Sequence, residues 1–271
     1  MEALRVRRFR RLETAVWYYQ HSATLRWVTV AGVYPHGEAD YYISLRNIIE
    51  RMRSEGSQVH YERLFVHPPE EEMRIHPDEL EVIRQIDQVE VLRIARASVL
   101  GWIDVREALR PSDGWQHHDV TAQEVFSHTG SHWARQQARR SIRLLDWPDT
   151  NRRGPAKYRL YIATTARLAA RHGRTGWVKD HPALTQHRIT TAVKAVRDTD
   201  NHSVLIWDPD VLPGIATALA GLGFVRQWSE WLRVGQLPHC GATTAQLLLG
   251  RAPSTRKASR PTARGSDDWT Q

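Results

Sequence analysis

Near its start the chain shows two kinds of apolar pattern in turn. Residues 26–31 form a short β-branched and aromatic run that stops at Gly32, which predicts a buried strand entering a loop. After Gly37, apolar residues recur every three or four positions over 41–52, as on one face of a helix. Residues 58–65 then return to strand character. A strand, a helix and a second strand in this order favour parallel pairing of the two strands.

The same order returns towards the other end, with a strand at 203–207, a helix at 213–222 and strand character at 224–234. The residues between show helical spacing, at 78–109, 122–145, 157–172 and 188–196. We therefore predict an α/β fold with a mixed β-sheet, built from two strand–loop–helix–strand halves at 27–65 and 203–234. An inserted helical region lies between them, at about 78–200.

Charge distinguishes the two ends of the chain from its middle. The formal net charge is +8, with Lys+Arg 38 and Asp+Glu 30. Residues 1–11 contain five Arg and one Glu, and residues 251–271 contain five basic and two acidic residues. We therefore predict a basic N-terminal segment at 1–24, one domain at 25–235, and a basic, disordered C-terminal tail at 236–271 that is rich in Ser, Thr, Pro and Arg.

Cysteine content and hydropathy bear on the cellular compartment. Cys240 is the only cysteine, so no internal disulfide and no thiolate cluster for a structural zinc can form. The longest weakly polar stretch, 211–225, is shorter than a membrane-spanning helix and is interrupted by Pro and Gly. The N-terminus lacks the uninterrupted apolar core of a secretory signal. These features predict a cytoplasmic protein without a membrane span.

Two loops of the predicted sheet contain residues suited to chemistry. His36 follows the first strand, and Glu62 lies near the carboxyl end of the next one. Asp208 and Asp210 follow the strand at 203–207. Ligands of open α/β sheets lie at such carboxyl ends, and an imidazole with three carboxylates suits a divalent metal or general acid–base chemistry. Ordinary loop and turn roles suit the same residues, and both interpretations stay open here.

Several short motifs follow one another in a characteristic order. The first are 28–32 with Gly37, the Tyr41-Tyr42 pair that opens a helix, and 59–62. The later ones are Trp115, 119–121, Gly130, Arg188, Trp207, 212–215, 223–224 and Trp231. In order and spacing they resemble the TraB/PrgY/GumN family, which is related to the Tiki-type metalloproteases. The resemblance covers residues 25–235 and implies an α/β fold with a two-histidine metal site of a hydrolase.

The departures from the family pattern fall on the residues of its chemistry. Pro35 stands at the histidine position of the first loop, and His36 follows it. Val211 stands where the second loop has its histidine, and Ile189 stands where a polar residue follows the arginine. Proline and valine side chains offer no ligand atom. The resemblance therefore implies a retained fold with a degenerate metal site. Two residues of the pattern are kept, Glu62 and Arg188.

These observations favour a non-catalytic binding or regulatory protein for a peptide or a small molecule, with no metal ligand assigned. Its substrate-binding residues are predicted to be Arg188, Asp208 and Asp210. The alternative is a rewired metal-dependent hydrolase or peptidase that uses His36 and Glu62 as catalytic residues and takes a divalent metal as cofactor. Whether the chain is an enzyme stays open at this point.

A second alternative is weak binding of nucleic acid through the basic tails and an arginine stripe. Arg135, Arg139 and Arg143 recur every four residues, which places them on one face of a predicted helix. A solvated helix face explains the same stripe. Elsewhere, the adjacent His117 and His118 would point apart on a strand or a helix, and we expect both to be exposed.

Overall fold

The structure, a computed structural model, describes residues 2–7, 10–66, 76–146, 163 and 181–237. In these ranges the strands are β1 (Leu4–Arg7), β2 (Arg11–His21), β3 (Trp27–Gly32), β4 (His36–Gly37), β5 (Gln58–Val66), β6 (Ile103–Asp104), β7 (Gln116–Thr121), β8 (Ser203–Trp207) and β9 (Phe224–Gln236). The helices are α1 (Ala39–Ser54), α2 (Pro77–Ala97), α3 (Val105–Ala108), α4 (Ala122–Thr129), α5 (Ser131–Leu145), α6 (Pro182–Arg197) and α7 (Leu212–Gly221).

Seven strands form one mixed sheet with a parallel centre. The parallel strands lie in the order β3, β8, β5, β7, and β2 pairs antiparallel with β3. β9 pairs antiparallel along the whole of β2, and β1 pairs with the first residues of β2. The short strands β4 and β6 form a separate two-stranded ladder. The predicted α/β fold with a mixed sheet is therefore confirmed.

The buried strands separate two apolar cores. All five residues of β8 are buried, as expected for a strand covered on both faces. Alternate residues point to opposite faces. Val204 and Ile206 pack with α1, α2 and α5, whereas Leu205 and Trp207 pack with α6 and α7.

β3 and β8 are neighbours, yet the chain leaves them in opposite directions. After β3 it crosses by α1 to β5 on one face, and after β8 it crosses by α7 to β9 on the other. Ligands of open α/β sheets bind at the carboxyl end of such a switch in strand order. Gly32 pairs with Trp207 in register, so the two loops that follow β3 and β8 start side by side.

The first 24 residues are not a separate basic segment. Residues 11–21 form β2, and residues 12–19 within it are buried. The prediction gave weight to the arginines of 1–11 and overlooked the β-branched and aromatic run that follows them, which suits a strand. The described domain therefore begins at β1 and not at residue 25.

The region at 78–200 is not wholly helical. β7 adds a parallel strand beside β5. In addition, Gly130 has a positive φ of 77° and separates α4 from α5, so the predicted helix at 122–145 is two helices. The inserted region therefore contributes to the sheet as well as to the helical layer.

The predicted tail begins two residues too early, because β9 extends to Gln236 and Leu237 is buried. The rest of the tail lies outside the described residues, and so does the predicted helix at 157–172 apart from Ala163. Across the described ranges, no helix combines the length and the apolar character that crossing a membrane requires.

Candidate functional site

A cavity of about 320 Å³ lies at the carboxyl edge of the parallel strands. It is bounded by the loops after β3 and β8, by β5, and by α2, α5 and α6. All the residues predicted for the site line it: His36, Glu62, Arg188, Asp208 and Asp210. The strand order thus brings together residues from four distant parts of the chain.

Two tyrosines of α1 hold the loop that contains His36. The Tyr41 hydroxyl accepts a hydrogen bond from the Tyr34 amide at 3.0 Å and donates one to the Gly32 carbonyl at 3.0 Å. The Tyr42 hydroxyl donates to the Tyr34 carbonyl at 2.9 Å. Because these hydroxyls bind backbone atoms, they fix the path of the loop as it leaves β3.

β9 holds the other end of this loop. The Glu38 amide donates to the Val234 carbonyl at 2.8 Å, and the Glu38 carboxylate accepts from the Gln236 amide at 2.9 Å. A Cβ at Gly37 would lie 3.0 Å from the Val234 carbonyl oxygen. The close approach of loop and strand therefore favours glycine at this position.

His36 is buried opposite Asp104 in the ladder of β4 and β6. Its Nε2 lies 3.5 Å from Asp104 Oδ2, and neither ring nitrogen forms a hydrogen bond with a described residue. Burial lowers the pKa of His36 to about 4, because desolvation outweighs the attraction of Asp104 for the proton. His36 is therefore neutral at pH 7. Both nitrogens are buried, so a ligand in the cavity does not reach them in this structure.

Glu62 and Arg188 form a bidentate ion pair at the wall of the cavity. Arg188 Nε donates to Glu62 Oε1 at 2.7 Å, and Arg188 Nη2 donates to Glu62 Oε2 at 2.8 Å. The side chains are 4% and 1% exposed, respectively. A parallel pair of charge-assisted hydrogen bonds is the strong geometry for these groups. Glu62 thus has both oxygens engaged by one guanidinium.

Asp208 and Asp210 occupy the loop after β8. Both are half-buried and contribute to the cavity wall. The Asp210 amide donates to Asp208 Oδ1 at 3.3 Å, which is the contact of an Asx turn. The turn role and the place at the cavity wall therefore occur together.

Apolar packing occupies the two positions at which the family pattern has polar residues. Val211 is fully buried in the core of α6 and α7, and Ile189 packs against the same core. A Cβ at Gly214 would lie 2.2 Å from the Ile189 side chain, so these two residues set the spacing of α6 and α7. Within the part of the chain that the structure describes, no three His, Cys, Asp or Glu side chains are arranged to hold a metal.

Comparisons with protein-family models, with curated proteins and with solved structures find no match for this chain. The resemblance to the TraB/PrgY/GumN family therefore stays a prediction. The geometry of the cavity does not depend on this resemblance, because each distance given above is between atoms of this chain.

Sequence reasoning missed Asp104 as the partner of His36. Asp104 belongs to a strand of only two residues, Ile103–Asp104. A strand of this length is too short to show an alternation of apolar and polar residues. Asp104 Oδ1 also accepts from the Arg106 amide at 2.9 Å and thereby caps α3. An aspartate before a short helical run is the one local signal that marks this position.

A second missed pair lies on the face of β5 that includes Glu62. His60 Nδ1 lies 3.0 Å from His118 Nε2, so one ring donates to the other. Burial and the neighbouring His118 lower the pKa of His60 to about 4. The prediction that His118 is exposed is wrong, because its ring is half-buried beside Trp207, whereas His117 is exposed. The two-residue spacing of His60 and Glu62 on a strand is the signal that was available.

Proposed function

We propose that this protein is a non-catalytic binding or regulatory protein that holds a small molecule in the cavity. One contrast supports the proposal: the cavity is open, while the reactive atoms in its wall are closed off. Arg188 engages both oxygens of Glu62, and both nitrogens of His36 are buried. A general acid or base must come within hydrogen-bond reach of its substrate, and these two side chains are held away from it.

The wall suits a compact ligand with an apolar body and polar ends. Its apolar surface comes from several elements: Val33, Ile86, Val89, Trp133, Leu184 and Ile206. Charged side chains of both signs also line it, among them Asp87, Glu90, Arg93 and Arg106. The volume of about 320 Å³ is at the lower end for small-molecule sites. A peptide would therefore enter by its terminal residue alone.

Filling the cavity tests this proposal. Ala138 is buried in its wall, so Ala138→Phe places a ring in the space, whereas Ala95→Phe adds the same ring to an exposed position of α2. The measurement is the thermal shift caused by a panel of small cationic, anionic and neutral aromatic compounds. We expect at least one compound to stabilise the wild type and Ala95→Phe but not Ala138→Phe. A panel without any shift, or shifts that all persist in Ala138→Phe, would contradict the proposal.

The rewired metal-dependent hydrolase is the second candidate, because His36 and Glu62 line the same cavity. A metal at 100 times its dissociation constant adds roughly 2.7 kcal/mol to the stability of a protein that binds it. Titration with Zn²⁺, Mn²⁺ and Co²⁺ separates the two candidates. The binding proposal expects no change in melting temperature, whereas a clear rise that His36→Ala abolishes would establish the hydrolase in its place.

We also propose a cytoplasmic location, which the single Cys240 supports, since a reducing compartment suits a chain without disulfides. Membership of the TraB/PrgY/GumN family is proposed on the motifs at 25–235. Fractionation of cells that produce the protein tests the location.

A further inference from the structure

The two faces of α5 differ in their chemistry. The inner face contributes to the cavity through Trp133, Ala134, Gln137, Ala138 and Ser141. The outer face lines a groove of about 220 Å³ with His132, Arg135, Gln136, Arg139 and Arg143. No acidic side chain occurs among the described residues that line this groove. Arg140 is exposed beside it.

Three guanidinium groups on or beside the outer face have no partner among the described residues. Arg139, Arg140 and Arg143 are exposed, and none forms a hydrogen bond or an ion pair with a described residue. Arg135 differs, because it is half-buried and donates to the Asp78 carbonyl at 3.0 Å. Like charges four residues apart on a helix repel one another. The second half of α5 therefore presents uncompensated positive charge.

Other arginines of the described chain differ from these three in their partners or in their spacing. Arg5 pairs with Glu13 at 2.7 Å, and Arg233 pairs with Glu38 at 3.0 Å. The side chains of Arg84, Arg110 and Arg197 are exposed and also form no hydrogen bond or ion pair with a described residue, but they lie far apart in the chain. The second half of α5 instead places three such guanidinium groups within five positions, two of them in one row on its outer face, which is an arrangement that suits an anionic partner.

We propose that the outer face of α5 binds the phosphates of nucleic acid without reading its base sequence. The guanidinium group is a planar fork that matches two phosphate oxygens. Positions four residues apart lie about 6 Å apart along a helix axis, so Arg139 and Arg143 form a line of charge that follows a strand of phosphates. The exposed Gln136 and His132 supply polar groups of the kind that contact phosphate and sugar oxygens.

The same helix is unsuited to the surface of a membrane. A helix that lies in the membrane interface inserts apolar side chains between the lipids. Several apolar residues of α5 are instead packed in the core of the protein, among them Ala134, Ala138 and Leu145. Its outer face offers charge and hydrogen bonds only, which suits a polyanion in water.

The test uses the full chain and fluorescence anisotropy with a labelled single-stranded DNA and the matching duplex, over a range of salt concentrations. The variant Arg139→Glu/Arg140→Glu/Arg143→Glu, called the stripe variant, reverses the two exposed arginines of the stripe and the neighbouring Arg140. The matched control, Arg84→Glu/Arg110→Glu/Arg197→Glu, makes the same change in net charge at exposed positions outside α5. Both variants retain the basic tail, and melting curves verify that both are folded.

We expect the stripe variant to weaken binding more than tenfold and the control to weaken it less than threefold. The slope of log affinity against log salt should fall by about 2 to 3 in the stripe variant, because about 0.9 counterions are released per phosphate contact on a duplex. Equal losses in the two variants, or no binding of either DNA by the wild type, would overturn the proposal. Displacement of the DNA by polyglutamate at an equal charge concentration would overturn it as well and would assign the stripe to an acidic protein.

Discussion

Two buried acid–base pairs line the same cavity, and they differ in how fully their polar atoms are satisfied. Arg188 donates two short hydrogen bonds to Glu62, so both charges are kept and matched. His36 and Asp104 stand 3.5 Å apart, and the imidazole is neutral without a hydrogen bond to a described residue. The first pair is a rigid part of the scaffold, whereas the second is the part of the wall that responds to protons.

The largest effect is expected from breaking the satisfied pair. Arg188→Ala leaves the Glu62 carboxylate buried without its partner, and losing one member of a buried pair costs roughly 3–5 kcal/mol. Glu62→Ala should cost a similar amount, because it leaves the Arg188 guanidinium buried without its partner. The double variant should lose less than the sum, because no unmatched charge remains. Urea unfolding of the four proteins gives the coupling free energy.

A surface pair of the same chemistry provides the control. Arg53 and Glu50 are 3.4 Å apart with side chains 42% and 41% exposed, and Glu50→Ala should cost no more than about 1 kcal/mol. Small and additive losses at Glu62 and Arg188 would show that burial of that pair contributes nothing, and the contrast between the two cavity pairs would disappear.

The next effect in size concerns acid. The folded pKa of His36 and of His60 is about 4, below the ordinary value of 6.5, so the unfolded chain binds protons first as the pH falls. The contribution of these two neutral histidines to the free energy of unfolding is therefore fully present above pH 6.5 and is lost as the pH falls to about 4. Each histidine contributes on the order of 3 kcal/mol to this loss. Urea unfolding between pH 7 and pH 4 measures it.

Single variants assign the acid effect. His36→Leu should remove about half of the pH dependence that the two buried histidines produce, since it removes one of two groups with similar shifts. An identical pH profile in the wild type and in His36→Leu would mean that His36 is not held neutral by burial.

The smallest of these effects is expected at Asp104. Asp104→Ala removes the cap of α3 and the 3.0 Å hydrogen bond from Arg106 Nε, and loss of a helix cap costs about 1 kcal/mol. Asp104→Asn retains an acceptor oxygen and should cost less. Both variants should lower the pKa of His36 further, because Asp104 favours its protonated form. NMR titration of the His36 ring checks the direction; a rise would contradict the assignment.

Local pattern and strand order together made much of the site predictable. Helical spacing at 41–52 and strand patterns at 26–31 and 203–207 correspond to α1, β3 and β8. Because parallel strands end at one edge, residues in the loops after them meet there, and His36, Asp208 and Asp210 line one cavity. Predictions of this kind depend on short-range periodicity and on one topological rule, and both are visible in a single sequence.

The missed features have no local pattern. Asp104 meets His36 through two residues of ladder, and the hydroxyls of Tyr41 and Tyr42 bind loop atoms in a way that spacing alone does not show. β2 was missed for another reason. Its buried residues directly follow a cluster of arginines, and the charge of that cluster indicated a basic segment in place of a strand. Contacts between residues that are distant in sequence depend on the assembled fold, and the local spacing of apolar residues does not predict them.

The place of β2 in the sheet also governs the order in which the chain can mature during synthesis. β2 is among the first strands made, yet its long partner is β9, with pairs from Arg11–Gln236 to His21–Phe224. A nascent chain therefore holds the aromatic run Trp17–Tyr19 with one edge unpaired until the last described strand leaves the ribosome. Strand pairings so distant in sequence form slowly, and until they form the unpaired strand edges are prone to aggregation. A ribosome that stalls before β9 would release a product prone to aggregation, and chaperones that bind extended aromatic segments would meet it first.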